Sequence, residues 1–191
     1  MGMKSIITIS LGLISLTSYA QDKTQINRKG FAFGTSVGIS DTNMSFPTKT
    51  QTNKDLAINW KIGYMLNPQW ALLLNGAVSI YEYNLIGRPR KRDFGGIFPS
   101  VQYWGTERFS ILGGVGLGTD APVFYDLKPE NEDETKYYSG LGFISSFNYE
   151  VYQKKNFTID IQARLNYSSV NLPEGKINGF NTGLLLGINF Y

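Results

Sequence analysis

The sequence predicts an all-β fold, an eight-stranded antiparallel up-and-down transmembrane β-barrel with long extracellular loops and short periplasmic turns. Three observations predict it. Apolar and polar residues alternate along eight segments, with the period of a β-strand. The connections between these segments alternate between long and short. Aromatic residues gather where the short turns are expected, as in the aromatic girdle of a membrane barrel.

The residues at 1–20 differ from the rest of the chain. Lys4 precedes the short apolar run IITISLGLISL at 6–16, and Ser18 and Ala20 are small residues at the positions that a signal peptidase reads. The run is shorter than the ~20 apolar residues of a membrane-spanning helix. We therefore expect a signal peptide at 1–20, cleaved between Ala20 and Gln21, and a single barrel domain at 21–191.

The first four strand segments each present one apolar face. The fourth is the weakest, because Pro99 cannot donate a hydrogen bond to a neighbouring strand. In chain order the segments are GFAFGTSVGIS (30–40), with Phe31, Phe33, Val37 and Ile39 in phase; LAINWKIGYML (56–66), with Leu56, Ile58, Trp60, Ile62 and Tyr64; WALLLNGAVSIY (70–81), with Trp70, Leu72, Leu74, Val78 and Ile80; and GIFPSVQYW (96–104).

The last four segments repeat this pattern. The clearest is the seventh, in which an aliphatic and aromatic face alternates with a face that carries both signs of charge. The segments are FSILGGVGLG (109–118), with Phe109, Ile111, Val115 and Leu117 in phase; YYSGLGFISSFNYEVY (137–152), with Leu141, Phe143, Phe147, Tyr149 and Val151; FTIDIQARLNYS (157–168), with Phe157, Ile159, Ile161, Ala163, Leu165 and Tyr167; and FNTGLLLGINFY (180–191), with Phe180, Leu184, Leu186, Ile188 and Phe190.

The lengths of the connections favour a meander with all its long loops at one end. In order they are DTNMSFPTKTQTNKD, NPQ, EYNLIGRPRKRDFG, GTER, TDAPVFYDLKPENEDETK, QKKN and VNLPEGKING. Long and short connections alternate without exception, which is typical of membrane barrels with short periplasmic turns.

The remaining choice is which face of each strand lies inside. The polar face holds ionisable groups in mid-strand, namely Lys61, Asp160 and Arg164. A narrow polar lumen can supply partners and water for mixed charges, whereas an apolar core cannot. We therefore expect the apolar face to contact lipid. The alternative is a soluble secreted barrel with an apolar ligand cavity, like a lipocalin, in which the apolar face would point inward.

This pattern resembles the OmpA/OmpX-like family of small outer-membrane barrels. The resemblance covers roughly residues 26–191 and rests on the eight-strand meander, the loop rhythm and the terminal LLLGINFY. It implies an integral protein of the bacterial outer membrane. In that family the last strand often ends in an aromatic residue that the barrel-assembly machinery reads. Phe190 has the lipid-facing phase and Tyr191 follows it, so both are candidates for this assembly signal.

The expected lumen residues form a polar network that holds the barrel rigid. They are Lys61, Asn75, Gln102, Glu150, Asp160, Gln162, Arg164 and Asn166. Because an unpaired buried cation is costly, we expect Arg164 to pair with a carboxylate, with Asp160 and Glu150 the leading candidates. We also expect Ile161→Arg, on the lipid face, to damage assembly more than Thr158→Arg in the lumen.

Two oppositely charged extracellular loops are candidates for surface contacts. The stretch RPRKRD places Arg88, Arg90, Lys91 and Arg92 together, and DLKPENEDE at 126–134 is acidic. Two interpretations are open: both loops are solvated surface and attract each other, or the basic loop contacts anionic lipid such as lipopolysaccharide. Outer-membrane lipids and an unidentified surface ligand are the expected partners. With 18 basic and 15 acidic residues, the chain is too balanced to suggest nucleic acid.

The composition also restricts the chemistry. There are no histidines and no cysteines, so a Ser-His-Asp triad, thiolate metal sites and disulfides are excluded. We expect no metal and no cofactor. The predicted function is a non-enzymatic barrel that supports envelope integrity or surface interaction through its loops. The alternatives are a small passive, porin-like pore and, less favoured, a lipid-modifying outer-membrane enzyme.

Overall fold

The computed structural model describes residues 26–85, 87–127, 135–173 and 175–191, and within them the chain forms eight antiparallel strands. The signal peptide predicted at 1–20 lies outside the described residues. The strands are β1 (Gly30–Ser45), β2 (Thr50–Asn67), β3 (Trp70–Tyr83), β4 (Arg90–Trp104), β5 (Phe109–Pro122), β6 (Tyr138–Lys154), β7 (Phe157–Leu172) and β8 (Gly175–Phe190), with a 3₁₀ turn at Phe124–Asp126.

The strands close into a barrel in chain order, β1 to β8, with β8 returning to β1. The closing pair runs from Phe33 opposite Phe190 to Ser45 opposite Asn178. Closure leaves the backbone groups of the ring paired, which is what a sheet in lipid requires. The predicted fold class is confirmed. No helix in the described part of the chain is long and apolar enough to span a membrane.

One end of the barrel holds the short turns at 68–69, 105–108 and 155–156. We call it the periplasmic end and the opposite end extracellular, as in outer-membrane barrels. The extracellular connections are shorter than the sequence suggested, at 46–49, 84–89 and 173–174, and only 123–137 remains long. The reason is that β1, β2, β4, β7 and β8 continue as paired strands beyond the segments predicted from the sequence, into stretches where apolar and polar residues no longer alternate.

The outside of the barrel is an apolar belt. Large hydrophobic side chains on every strand are exposed, for example Phe33 on β1, Leu72 on β3, Ile161 on β7 and Leu186 on β8. Polar side chains of the opposite phase are buried inside. The prediction that the apolar face of each strand points outward is therefore confirmed. A soluble barrel is excluded, because this apolar outer surface would then face water.

The predicted periplasmic girdle lies on the outer surface. Phe190 stacks on Phe33 and Phe157, with ring centroids 4.8 and 5.9 Å away. Trp70 and Tyr103 also pair, in a tilted arrangement with ring centroids 4.5 Å apart. These contacts join neighbouring strands, including β7, β8 and β1 where the barrel closes. They place amphipathic rings at one edge of the belt, where the membrane interface is expected.

Candidate functional site: the two ends of the barrel interior

All eight residues predicted to face the lumen are buried inside the barrel. Their side-chain hydrogen bonds form separate chains rather than one network, and not every residue takes part. Lys61 Nζ donates to Gln102 Oε1 at 3.2 Å, and Gln102 Nε2 donates to Ser110 Oγ at 2.8 Å. On the opposite wall Gln162 Nε2 donates to Asp160 Oδ1 at 3.0 Å, and Gln162 Oε1 accepts from Ser36 Oγ at 3.1 Å. Neither side-chain atom of Asn166 that can hydrogen-bond has a partner within the described residues, and the Oδ1 atom of Asn75 has none either.

Within the described residues Arg164 forms no ion pair with a carboxylate, although Asp93 is near enough for its charge to act on the guanidinium. Its guanidinium donates to the Ile58 carbonyl at 2.9 Å, to Ser79 Oγ at 2.5 Å and to Asn181 Oδ1 at 3.0 Å. The expected pairing with Asp160 or Glu150 is wrong. Asp160 lies four residues away on the same strand, about 13 Å at ~3.3 Å per residue, so the two side chains do not meet. Glu150 is occupied at the periplasmic mouth.

The periplasmic mouth is closed by a residue that precedes the first strand. Arg28 forms an ion pair with Glu150, Nη2 to Oε2 at 2.7 Å, and also donates to the Glu107 carbonyl at 2.6 Å. Its guanidinium carbon lies 5.1 Å from the Trp104 ring centroid and 5.7 Å from that of Tyr191. We call Arg28, Glu150, Trp104 and Tyr191 the periplasmic latch.

The two terminal aromatic residues point in opposite directions. Phe190 lies on the lipid face within the girdle. Tyr191 turns into the latch, where its hydroxyl donates to Glu150 Oε1 at 3.2 Å and its ring packs edge-on against Trp104. Trp104 Nε1 donates to the same carboxylate oxygen at 3.0 Å. Of the two candidates for the assembly signal, only Phe190 therefore presents its side chain at the outer surface.

The extracellular end of the interior is apolar, which the sequence did not predict. We call this cluster the extracellular plug; its buried members are Met44, Phe46, Tyr81, Tyr83, Phe94, Val170, Leu172 and Ile177. Beside it Arg92 is ion-paired through Nε with Asp120, which also accepts a hydrogen bond from the Tyr81 hydroxyl. Arg92 and Asp120 are almost completely buried.

Arg92 therefore does not belong to an exposed basic loop, and its proposed contact with anionic lipid is corrected. β4 begins at Arg90, so the strand alternation turns Arg92 into the barrel. The other three cations lie at the extracellular rim. Arg88 pairs with Asp126 at 2.8 Å and Lys91 with Asp55 at 2.5 Å, while Arg90 lies 4.3 Å above the Tyr83 ring.

Next to these cations the long connection exposes aromatic side chains. Phe124 and Tyr125 in the 3₁₀ turn are 86% and 56% exposed, and Tyr137 is 75% exposed. The turn is fixed by Asp126, whose carboxylate accepts from Arg88 and from the Lys91 backbone and whose carbonyl accepts from Arg88 at 2.6 Å. We call Phe124, Tyr125 and Tyr137 the aromatic cap. Most of the acidic stretch, from 128 to 134, lies outside the described residues.

The described residues hold no group of three or more His, Cys, Asp or Glu side chains placed to share a metal ion. Of the buried carboxylates, Glu150 is ion-paired in the latch and Asp120 beside the plug, and Asp160 accepts hydrogen bonds from Gln162.

Comparison with known proteins shows the fold. No family model matches the chain, and no curated protein matches it in sequence. Among solved structures it is similar to Ail, the attachment invasion locus protein of Yersinia pestis, in complex with the heparin analogue sucrose octasulfate, at 15% identity over 83% of this chain and 99% of that one, with a TM-score of 0.51. It is also similar to Neisserial surface protein A, at 14% identity over 83% and 97% of the chains, with a TM-score of 0.55.

Proposed function

We propose that the chain is a non-enzymatic, non-conducting integral barrel of the outer membrane that acts through its extracellular surface. The premise is its fold, which is that of the small eight-stranded outer-membrane barrels, as the resemblance to OmpA/OmpX-like proteins implied. The observation that carries the proposal is that packed side chains close the interior at both ends, by the latch below and the plug above.

The closed interior argues against the alternative of a passive pore. Eight strands enclose an interior that side chains just fill. Trp104, Phe94 and Tyr81 are almost wholly buried there, together with Arg164 and Arg92, which are held by hydrogen bonds on several strands. A hydrated solute would have to displace both clusters. The pore alternative predicts a stable ohmic conductance in planar bilayers, and the proposal predicts none.

The absence of histidine supports a non-enzymatic role. Acyl transfer at a serine needs a base beside the hydroxyl, and the commonest such base is a histidine. Two buried carboxylates that could act as a base instead, Asp120 and Glu150, are already paired with Arg92 and Arg28. A lipid-modifying activity is accordingly the least supported alternative.

The extracellular surface offers an aromatic cap beside a rim of cations. Exposed aromatic rings bury large areas at low entropic cost when a partner docks, and they are frequent binding anchors. Asp126 and Arg88 hold the turn in place, so little ordering remains to be lost on binding. These features support surface interaction as the role of this end of the barrel.

An anionic partner is the second candidate, favoured by the rim cations. Ail has the same fold and was crystallised with a heparin analogue, a polysulfated sugar. Here Arg88, Arg90 and Lys91 line the rim, although Asp126 offsets the charge of Arg88 and Asp55 offsets that of Lys91. We therefore propose that this rim makes weak, salt-sensitive contacts with anionic sugars or lipopolysaccharide, and that the buried Arg92 takes no part in them.

Charge-matched variants test this contact. The triple variant Arg88→Gln, Arg90→Gln, Lys91→Gln should bind less to lipopolysaccharide-containing vesicles than the wild type at low salt. The control Lys29→Gln, Lys154→Gln, Lys155→Gln removes the same charge from exposed residues at the periplasmic end and should bind like the wild type. Added salt should weaken wild-type binding, because exposed charges are screened beyond ~10 Å at 0.1 M. Equal binding by both variants would refute an anionic contact at this rim.

For assembly we propose that Phe190 is the aromatic residue that the barrel-assembly machinery reads, since Tyr191 is engaged in the latch. Phe190→Ala should slow membrane insertion in cells, and Tyr191→Phe should not. The amount of heat-modifiable barrel in the outer-membrane fraction measures both effects. An insertion defect in Tyr191→Phe alone would assign the signal to Tyr191.

A further inference from the structure

The seam between β1 and β8 differs from the other seams of the barrel. Every other pair of neighbouring strands is also joined by a connection of the chain, whereas β1 and β8 are the first and last strands and meet through non-covalent contacts alone. Their backbone pairing ends at Phe33 opposite Phe190, so Gly30 to Ala32 continue towards the periplasm paired with β2 but not with β8. Closure at the periplasmic end of this seam therefore depends on other contacts.

The turn between β6 and β7 binds both chain segments that flank this seam. The backbone nitrogen of Asn27, just before β1, donates to the Lys155 carbonyl at 2.9 Å. The backbone nitrogen of Tyr191, just after β8, donates to the Asn156 carbonyl at 3.0 Å. Because these carbonyls belong to consecutive residues, one turn holds the two segments side by side, below the point at which the β1–β8 ladder stops.

The carboxylate of Glu150 on β6 binds side chains of the same two segments. Its Oε2 atom accepts from Arg28 at 2.7 Å, and its Oε1 atom accepts from the Tyr191 hydroxyl at 3.2 Å. The side chains of Arg28 and Glu150 are only 6% and 2% exposed, so solvent and salt screen this ion pair far less than a surface pair. We call the Lys155 and Asn156 carbonyls, together with the Glu150 carboxylate, the seam clasp.

We propose that the seam clasp locks the β1–β8 seam by tying the segments before β1 and after β8 to β6 and its turn. The periplasmic ends of β1 and β8 separate only if two backbone hydrogen bonds and the Arg28–Glu150 ion pair break. The lock forms only in a closed barrel, since the two segments it holds come from opposite ends of the barrel sequence. It opposes reopening of the seam that completes the barrel, and it is independent of any surface role of the loops.

Hydrogen exchange in lipid vesicles tests the lock by comparing two ladders at the same level of one barrel. Arg28→Gln removes the ion pair, so amide protons in the ladder between 33–36 and 187–190 should exchange at least about tenfold faster. Those between 62–64 and 72–74 should keep the wild-type rate, because a short turn joins β2 to β3. Lys91→Gln, which breaks an ion pair at the extracellular rim, is the matched control and should change neither ladder.

A disulfide across the seam separates locking from overall stability, and the chain has no cysteine of its own to interfere. Thr35 and Ile188 lie directly opposite each other with exposed side chains, so Thr35→Cys with Ile188→Cys is placed to form the bond. In the Arg28→Gln background the oxidised protein should regain slow exchange and the reduced protein should lose it again. Unchanged exchange in Arg28→Gln would overturn the lock. Equal acceleration of both ladders, or fast exchange that persists in the oxidised protein, would also overturn it, because the substitution would then loosen the whole barrel.

Discussion

The two ends of the barrel interior are closed by different chemistry. At the periplasmic end a single ion pair, Arg28 with Glu150, is framed by two aromatic rings and by backbone carbonyls at the rim. At the extracellular end an apolar cluster surrounds the Arg92–Asp120 pair, and both charges are almost completely buried. The first closure includes hydrogen bonds to backbone carbonyls at the rim, whereas apolar side chains pack beside the charges of the second.

The largest effect is expected at the extracellular end. Asp120→Ala should destabilise the barrel by about 3–5 kcal/mol, because Arg92 is left buried without its partner. Urea unfolding in lipid vesicles measures this. The double variant Arg92→Met, Asp120→Leu removes both charges and should recover most of the loss. A single-variant loss below about 1 kcal/mol, as for an exposed pair, would mean that this end is wet.

The apolar belt, which encircles the barrel between its two ends, should show the next largest loss of stability on substitution. Ile161→Arg puts a charge near the middle of the belt and should cost about 2–4 kcal/mol in the same unfolding assay. Thr158, proposed from the sequence as the tolerant comparison, is fully buried against Asn189 and leaves no room for an arginine. Asn43, exposed beyond the belt on β1, is a better control. Equal losses for Ile161→Arg and Asn43→Arg would contradict the assignment of the belt.

A smaller effect is expected in the latch. Tyr191→Phe removes the hydroxyl that donates to Glu150 but keeps the ring against Trp104. A hydrogen bond to a charged group contributes about 1.5 kcal/mol, so stability should fall by roughly that amount. Trp104→Phe, which removes the other donor to the same oxygen and part of the ring, should cost more. The reverse order would mean that the latch depends on Tyr191 rather than on the packed indole.

The smallest effect is expected at the extracellular rim. Lys91 is 42% exposed and pairs with Asp55, so Lys91→Gln should change the unfolding free energy by less than about 1 kcal/mol. Raising the salt concentration should shrink this difference further. A loss as large as that of Asp120→Ala would show that the rim pair is as buried as the pair beside the plug.

The sequence predicted the belt far better than it predicted the ends. Lipid selects large apolar residues in one phase of every strand, as with Phe157, Ile159 and Ile161, and that alternation is readable without coordinates. At the extracellular end the inward phase also becomes apolar, as with Phe94 on β4 and Val170 on β7, so the alternation disappears and the sequence does not predict these strand ends.

The partners of charged residues were less predictable. Whether Arg164 meets a carboxylate depends on the stagger of strands distant in the chain, and its acceptors prove to be on β2, β3 and β8. Arg28 belongs to no strand and carries no periodic signal, although it closes the mouth. Arg92 looked like one of four equivalent cations, and only the starting point of β4 separates it from Arg88.

Planar-bilayer recording tests the central claim, that the two closures together leave no path through the barrel. Purified protein with confirmed heat-modifiable mobility should give no steady conductance, and Arg28→Gln should also give none, because the extracellular plug remains. A stable ohmic conductance in the wild-type barrel would contradict the account, make the passive pore the better function, and mark Lys61, Asp160 and Arg164 as the residues to test for ion selectivity.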